Sequence, residues 1–361
     1  MMACKSPPPP PEGGVLIVRP SALGDVSRTV PVLATLRSAW PKARIEWLVA
    51  EAFADVVRHH PMLDGVVTFP RARLAGFGWR LSATREGLAL ANRLRRGGYE
   101  VVYDFQGLFR SGLLTWLTRA PRRVGLAQAR EWGWLGYNVR HHVNGCTHTV
   151  DVMLGLLEAE GFTLQHDMRL YVGEQDLAWL ARFRQESGIG DAAYACVAPT
   201  ARWGCKCWPL ERYAQIAQRL LESELAGSHV VVLASPSEQA QVTPLLRMLP
   251  AAMRQRVHFP HTSVGQLMAI LSQAQLLVCN DSAALHIAVG LDRSVVAIFG
   301  PTDPARVGPY RKLDAVVHPP QTARDSFNFN YRRHLHDPTL ISQVSVEAVW
   351  QKVQEQLRAD R

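Results

Sequence analysis
The sequence predicts an α/β protein of two domains, each a parallel sheet covered by helices on both faces. Three observations predict it. At 361 residues the chain is too long for one ordinary core and suits two domains of typical size. Short apolar runs alternate with helical periodicities from Val15 onward, which is the rhythm of βαβ units. The rhythm pauses near residues 166–178 and then restarts, so the linker belongs there. Hydrophobic residues make up 47% and charged residues 20%, the balance of a globular protein that folds by burying a core.

In the first domain, Val15 to Val18 is a buried strand and Val26 to Trp40 a helix. Arg44 to Val49 follows as a strand, Phe53 to Arg58 as a short helix and Gly65 to Phe69 as a strand. A long helix stops at Gly97-Gly98, and Glu100 to Asp104 is the next strand. In the second domain the strands are Tyr194 to Ala198, His229 to Ala234, Leu276 to Cys279 and Ser294 to Phe299. The helices between and after them are Pro209 to Leu221, Glu238 to Leu249, Val264 to Ser272 and Ala283 to Val289. Val346, Val349, Val353 and Leu357 form one face of a closing helix over Ser345 to Leu357, while Gln321 to Leu340 shows no periodicity and reads as a loop. The domains are therefore drawn as residues 15–170 and 171–335, with a closing segment at 336–361.

Residues 1–14 contain a proline run where a signal peptide needs an apolar core, and they read as a disordered leader. No stretch approaches the ~18 apolar residues of a membrane span, so any membrane contact is expected to be peripheral. The six cysteines form no CxxC pair, and Cys196 and Cys279 lie in strand-like runs as buried thiols, which suits a reducing cytosol. The net charge of +9 and a pI near 9.5 favour acidic partners. Arginine is scattered, with local clusters such as Arg93-Leu94-Arg95-Arg96, and no basic block of the kind found in nucleic-acid tails is present.

Chemistry concentrates where strands end. In RPSALGDVSRTVP, Arg19 to Pro31, Asp25 stands between a strand and a helix, either as a helix-starting residue or as a general base. In VAPTARWGCKCWPLERY, Lys206 follows a strand and either neutralises a phosphate or is simply solvated. Asn280-Asp281-Ser282 ends a strand and caps a helix whose first-turn N–H groups and dipole suit an anion. Asp281 would repel phosphate, so it faces a sugar hydroxyl or caps the helix. His286 reaches a phosphate oxygen or is a core histidine. Glu238, at the start of a helix, accepts from ribose hydroxyls or complements the helix dipole, and FGPTDP, Phe299 to Pro304, brings a Gly-Pro turn to the same strand ends. His141, His142 and His148 are the one weak metal-ligand alternative.

Taken in order, SALGDVSRTVP, YDFQGLFRSGLL, PTARWGCKCWP, NDSAALHIA and FGPTDP resemble the ADP-heptose:lipopolysaccharide heptosyltransferases, glycosyltransferase family 9. AREWGWLGYNVRHHV and the run from Asp303 to Tyr310 are similar to its heptosyltransferase I branch. The resemblance implies the GT-B architecture: two Rossmann-like domains with parallel sheets facing a central cleft, acceptor on the first and nucleotide sugar on the second. It implies an inverting transferase acting without a metal or other cofactor, with ADP-L-glycero-D-manno-heptose as donor. The Kdo region of the inner core on lipid A is the implied acceptor, met in the cytoplasm or at the cytoplasmic face of the inner membrane. By position Asp25 matches the general base. Thr200, Lys206, Glu238, Asp281, Ser282, Ala283 and His286 match the donor site, and Ser21, Gln106, Arg110, Arg130 and His148 the acceptor side.

Two residues depart from the family pattern. Ala283 stands where the diphosphate turn usually carries glycine, which narrows the approach to the backbone and restricts φ. Val152 follows His148-Thr149-Val150-Asp151 where many members have arginine. Ala283 leaves open a GT-B transferase with another ADP- or UDP-sugar or another acceptor. A non-catalytic nucleotide-sugar-binding protein is a further reading, opposed by an intact Asp25 and Lys206. A Rossmann oxidoreductase is disfavoured because no GxGxxG follows any predicted strand.

Overall fold
The structure is a computed structural model describing residues 7–223, 229–320 and 338–359. The chain divides between Tyr171 and Val172 into two compact units. The first contains strands β1 (Gly14–Val18), β2 (Ile45–Ala50), β3 (Gly65–Phe69), β4 (Tyr99–Asp104), β5 (Arg122–Leu126) and β6 (Val139–His141). All pair in parallel, in the order β3-β2-β1-β4-β5-β6. Its helices are α1 (Leu23–Arg28), α2 (Val30–Ala39), α3 (Asp55–Arg58), α4 (Leu81–Arg96), α5 (Phe109–Leu117) and α6 (Thr149–Ala159).

The second unit contains β7 (Tyr194–Ala198), β8 (His229–Val232), β9 (Val257–His258), β10 (Leu276–Asn280), β11 (Ser294–Ile298) and β12 (Val316–Val317). Their order, again all parallel, is β12-β11-β10-β7-β8-β9. Its helices are α7 (Glu174–Glu186), α8 (Leu210–Glu222), α9 (Gln239–Val242), α10 (Leu245–Met248), α11 (Val264–Gln273), α12 (Ala283–Gly290), α13 (Pro304–Val307) and α14 (Val346–Ala359).

Both sheets have the same winding. Each begins at its centre, runs outward for three strands, returns to the centre and runs outward on the other side. The reversal falls between β1 and β4 in one unit and between β7 and β10 in the other, where open α/β sheets bind ligands. β1, β7, β10 and β11 are buried at every position, as strands covered on both faces must be, which explains their unbroken apolar runs. α8 turns Tyr213, Ile216, Ala217 and Leu220 inward at helical spacing, and α14 adds Val349 and Val353 to the same core.

Proline accounts for two differences from the sequence reading. The helix expected over Val26 to Trp40 is two helices, because Pro31 offers no N–H and its ring crowds the carbonyl four residues back. The chain turns at Thr29, whose hydroxyl donates to the Asp25 carbonyl at 2.8 Å. Pro244 likewise divides Glu238 to Leu249 into α9 and α10. Several elements have no counterpart in that reading. β6 has three residues and β9 two, too short to show a period, and α7 lies partly in the expected linker, with Leu180 as its only buried residue.

The leader does not run free to residue 14. Gly14 is already in β1, the Gly13 N–H donates to the Glu100 carboxylate at 2.9 Å, and the Trp40 indole donates to the Pro8 carbonyl at 3.1 Å. Residues 1–6 lie outside the described residues. So does most of the loop expected over Gln321 to Leu340, whose last residue, Leu340, is buried.

Candidate active site
In the first unit the polar groups gather beyond the carboxyl ends of β1 and β4. Asp25 is the third residue of α1, and Ala22 holds the N-cap position, so Asp25 is not the cap expected of a helix-starting residue. Its carboxylate reaches back to the Ala22 N–H at 3.3 Å, the returning half of a capping box. Arg19, just past β1, forms an ion pair with Asp25 Oδ2 at 3.2 Å, and Arg28, one turn along α1, donates to Oδ1. Burial opposes the charged form, but the two guanidinium groups outweigh it and hold the Asp25 carboxyl down at about 2. Arg28 is fixed in turn by Thr149 Oγ1 at 3.0 Å, and Arg19 by the Phe105 carbonyl.

The residues expected on the acceptor side divide. Gln106 Oε1 accepts from the Ser21 N–H at 3.2 Å, and the Arg130 N–H donates to the Gly107 carbonyl at 2.8 Å, so Ser21, Gln106 and Arg130 belong to one loop cluster. Beneath them lies Asp104, at 1% exposure, accepting from Tyr137 Oη at 2.7 Å and the Gln106 N–H at 2.8 Å. Burial pushes its carboxyl above the usual range. Arg110 is exposed on α5, its guanidinium 5.9 Å from the centre of the Phe69 ring.

His148 differs from the expectation. It is buried and caps α6, its Nδ1 accepting from the Val150 N–H at 3.1 Å. A proton on that nitrogen would remove the cap. His141 bonds to the buried Glu160 rather than to its histidine neighbours. Among the described residues no group of three His, Cys, Asp or Glu could hold a metal.

In the second unit the loop after β7 carries Thr200 and ends in the 3₁₀ turn Gly204–Lys206. Lys206 Nζ donates to Asp281 Oδ2 at 2.6 Å, and Thr302 Oγ1 donates to the same oxygen at 2.8 Å. Asn280, fully buried at the end of β10, locks this arrangement. Its Nδ2 donates to the Pro199 carbonyl at 2.6 Å, while its Oδ1 accepts from the Trp208 N–H at 3.1 Å and from Tyr213 Oη at 3.0 Å.

Ser282 occupies the N-cap of α12 with its Oγ buried and without a partner among the described residues. A buried hydroxyl left open beside the free N–H groups of a first helical turn is suited to a phosphate oxygen. Ala283 is the first residue of that helix, so its backbone does not need glycine's freedom and only its Cβ distinguishes it. His286 is buried within α12. Glu238 precedes α9 after β8 and accepts from the Ser235 N–H at 3.0 Å, closing its own turn.

The sequence reading missed Arg19, Arg28, Asn280 and Thr302. A signal existed for Arg28, three residues after Asp25 on a helix, and for Arg19, the first residue beyond β1. Asn280 was read as a cap residue, and nothing in a single sequence marks it as a buried tie.

Two Rossmann-like sheets in series, each with a polar constellation at its reversal point, define a GT-B glycosyltransferase. The family model described as glycosyltransferase family 9 (heptosyltransferase) matches residues 87–332, and the chain belongs to that family. It is 27% identical to lipopolysaccharide heptosyltransferase 1 of Escherichia coli K12 over 85% of this chain and 94% of that one. Identity to the Pseudomonas aeruginosa protein of the same name is also 27%, over 82% of this chain and 81% of that one. The solved E. coli heptosyltransferase WaaC with ADP superposes with a TM-score of 0.74 at 26% identity, covering 95% and 99% of the two chains. A family 9 glycosyltransferase from Veillonella parvula superposes with a TM-score of 0.79 at 20% identity, covering 98% and 99%.

Proposed function
We propose that this glycosyltransferase moves a heptose from ADP-L-glycero-D-manno-heptose to the Kdo region of the lipopolysaccharide inner core on lipid A, inverting the anomeric centre, with Asp25 as general base. The observation that carries the reading is the Asp25 carboxylate, kept ionised by Arg19 and Arg28 beyond the end of β1. The acceptor oxygen attacks the anomeric carbon as the bond to the ADP oxygen breaks, and the acceptor proton passes to Asp25. A carboxylate held at about 2 is a weak base, so the transfer comes late, once the forming C–O bond has made the hydroxyl proton acidic.

The electron pair leaving the anomeric carbon goes to the diphosphate. Lys206, Ser282 Oγ and the first-turn N–H groups of α12 are suited to that charge, the electrostatic contribution that usually dominates. In this reading Lys206 turns from Asp281 to the phosphates, and Asp281 is released to accept from sugar hydroxyls. Glu238 holds the ribose, and Ser21, Gln106, Arg110 and Arg130 meet the anionic acceptor. No metal or other cofactor takes part, and the reaction runs on the cytoplasmic side of the membrane.

The test is to incubate the protein with ADP-heptose, other ADP-sugars and UDP-sugars, each with Kdo-bearing lipid A, and to follow nucleotide release and product mass. ADP release and a heptose-sized mass gain with ADP-heptose alone is the expected result. Faster turnover with another nucleotide sugar would favour the second reading, a different donor, which the Cβ of Ala283 in the diphosphate turn supports.

A further inference from the structure
The positive charge of the chain has a single location. Residues 71–147 contain 13 arginines and four acidic residues, a surplus equal to the +9 of the whole chain, so the remaining sequence balances at 27 basic and 27 acidic. The same stretch holds nine of the twelve large apolar side chains exposed among the described residues.

Five of those side chains converge. Phe109, Leu113 and Trp116 follow one face of α5, and Trp132 and Leu135 come from the short turn Gly133–Gly136 beside it, together lining a shallow hollow. Glycine makes this possible. A Cβ on Gly112 would lie 2.2 Å from the Gly133 carbonyl oxygen, and one on Gly136 would lie 2.1 Å from that of Gly112, so the two backbones touch and the large side chains are carried outward together. Trp132 is 69% exposed and Leu135 60%. Arg110 lies on α5, Arg119 just past its end, and Arg130 and Arg140 before and after the 133–136 turn along the chain; all four are exposed, and Glu131 is the only exposed acid over residues 105–147.

We infer that this face of α5 and the 133–136 turn docks onto an anionic lipid bilayer. Tryptophan and leucine enter the boundary between headgroups and acyl chains while these arginines meet lipid phosphates, the division of labour of interfacial membrane-binding surfaces. A second copy of the chain fits poorly, because it would press like charges together. Nucleic acid fits less well, because the hollow mixes its three aromatic rings with Leu113 and Leu135 and offers few hydrogen-bonding groups for bases. Docking has a consequence for the acceptor, and this part rests on the proposed function. α5 begins three residues after Gln106, whose side chain bonds to Ser21, so the headgroup plane lies beside the segment that leads into α1, the helix of Asp25.

The test uses the full chain and flotation with vesicles of phosphatidylglycerol and phosphatidylcholine in equal parts, free of any lipopolysaccharide. The wild type is expected to float with them, to float at least tenfold less with pure phosphatidylcholine, and to detach as salt rises. Trp116→Ser with Trp132→Ser, both at exposed positions, should reduce flotation at least tenfold with unchanged thermal unfolding. The double variant should keep its turnover on a water-soluble Kdo acceptor and lose it on acceptor embedded in vesicles. Equal flotation of variant and wild type overturns the docking surface, as does a wild type that stays unbound or a lipid-free dimer that the double variant dissolves. Flotation that responds to the variant without any heptose transfer leaves the docking intact and overturns only the proposed function.

Discussion
Asp25 is the third residue of a helix and the meeting point of two arginines, and these facts decide how it titrates. Its carboxyl is held at about 2 against an ordinary 3.8, so it stays ionised through any pH at which the protein is used, and its share of the folding stability is lost only as pH falls from the ordinary value toward 2. A pH profile of kcat/KM should therefore show no inflection from Asp25 down to pH values where the fold fails. Arg28→Gln removes one cation and should move the acid limb upward, toward the unperturbed carboxyl range. Asp25→Asn should lower turnover by about 10²-fold or more while leaving ADP affinity within a few-fold; near-normal turnover would reduce Asp25 to the returning arm of a capping box. Lys206→Met should lower kcat by about 10²-fold if the lysine stabilises the leaving diphosphate. The sequence singles out Asp25, Lys206 and Asp281 as candidates because each stands between a strand and a helix, and only the family resemblance gives them their proposed roles. Arg19, Thr302 and Asn280 were not legible in it, because their importance lies in partners that are distant along the chain: Arg19 bonds to the Phe105 carbonyl and Asn280 reaches Pro199.

At the scale of elements, the loop that carries Lys206 is positioned from below. Asn280→Ala would strand the Pro199 carbonyl, the Trp208 N–H and Tyr213 Oη together. With each lost partner costing about 1–3 kcal/mol, the variant should unfold well below the wild type in a thermal melt and bind ADP weakly. The seam between α5 and the 133–136 turn is equally unforgiving. Gly112→Ala sets a methyl against a backbone carbonyl that has no rotamer to yield, and overpacking of this kind costs about 1–3 kcal/mol. Central strands could be read from sequence within a residue or so, since burial on both faces leaves a continuous apolar run. β5, between β4 and β6, could not: it begins with Arg122 and Arg123, one paired with Glu160 and the other bonded to the Gly136 and Ala120 carbonyls. Their charge hides a strand from any hydrophobic period.

At the scale of the molecule, acid should weaken the fold well before Asp25 titrates. Burial holds His60 down at about 4, and burial with the neighbouring His229 does the same for His258. Below the unfolded value of 6.5 the unfolded chain takes up protons that these rings refuse, so stability falls as pH drops from 6.5 to about 4 and is fully present above 6.5. Urea midpoints at pH 7.5 and 4.5 should show the drop, and His60→Asn, which can still accept the Met62 N–H, should shrink it. The two-unit plan was legible from length and from the restart of the βαβ rhythm. The identity of the two windings was not, because strand order is set by which edge each connection passes, and no local pattern records that. α14 gives the molecule an order of assembly. The last strand and helix of the first unit have been synthesised by Tyr171, but Val349 and Val353 are core residues of the second. The last strand of the second sheet, β12, ends at Val317, so at translation speeds of ~5–20 residues per second the sheet waits on the order of 2–8 s for the helix that seals it. For that interval the nascent chain carries one finished domain and one open apolar face, which makes the second unit the natural client of chaperones and the 346–359 segment the step that commits the enzyme to completion.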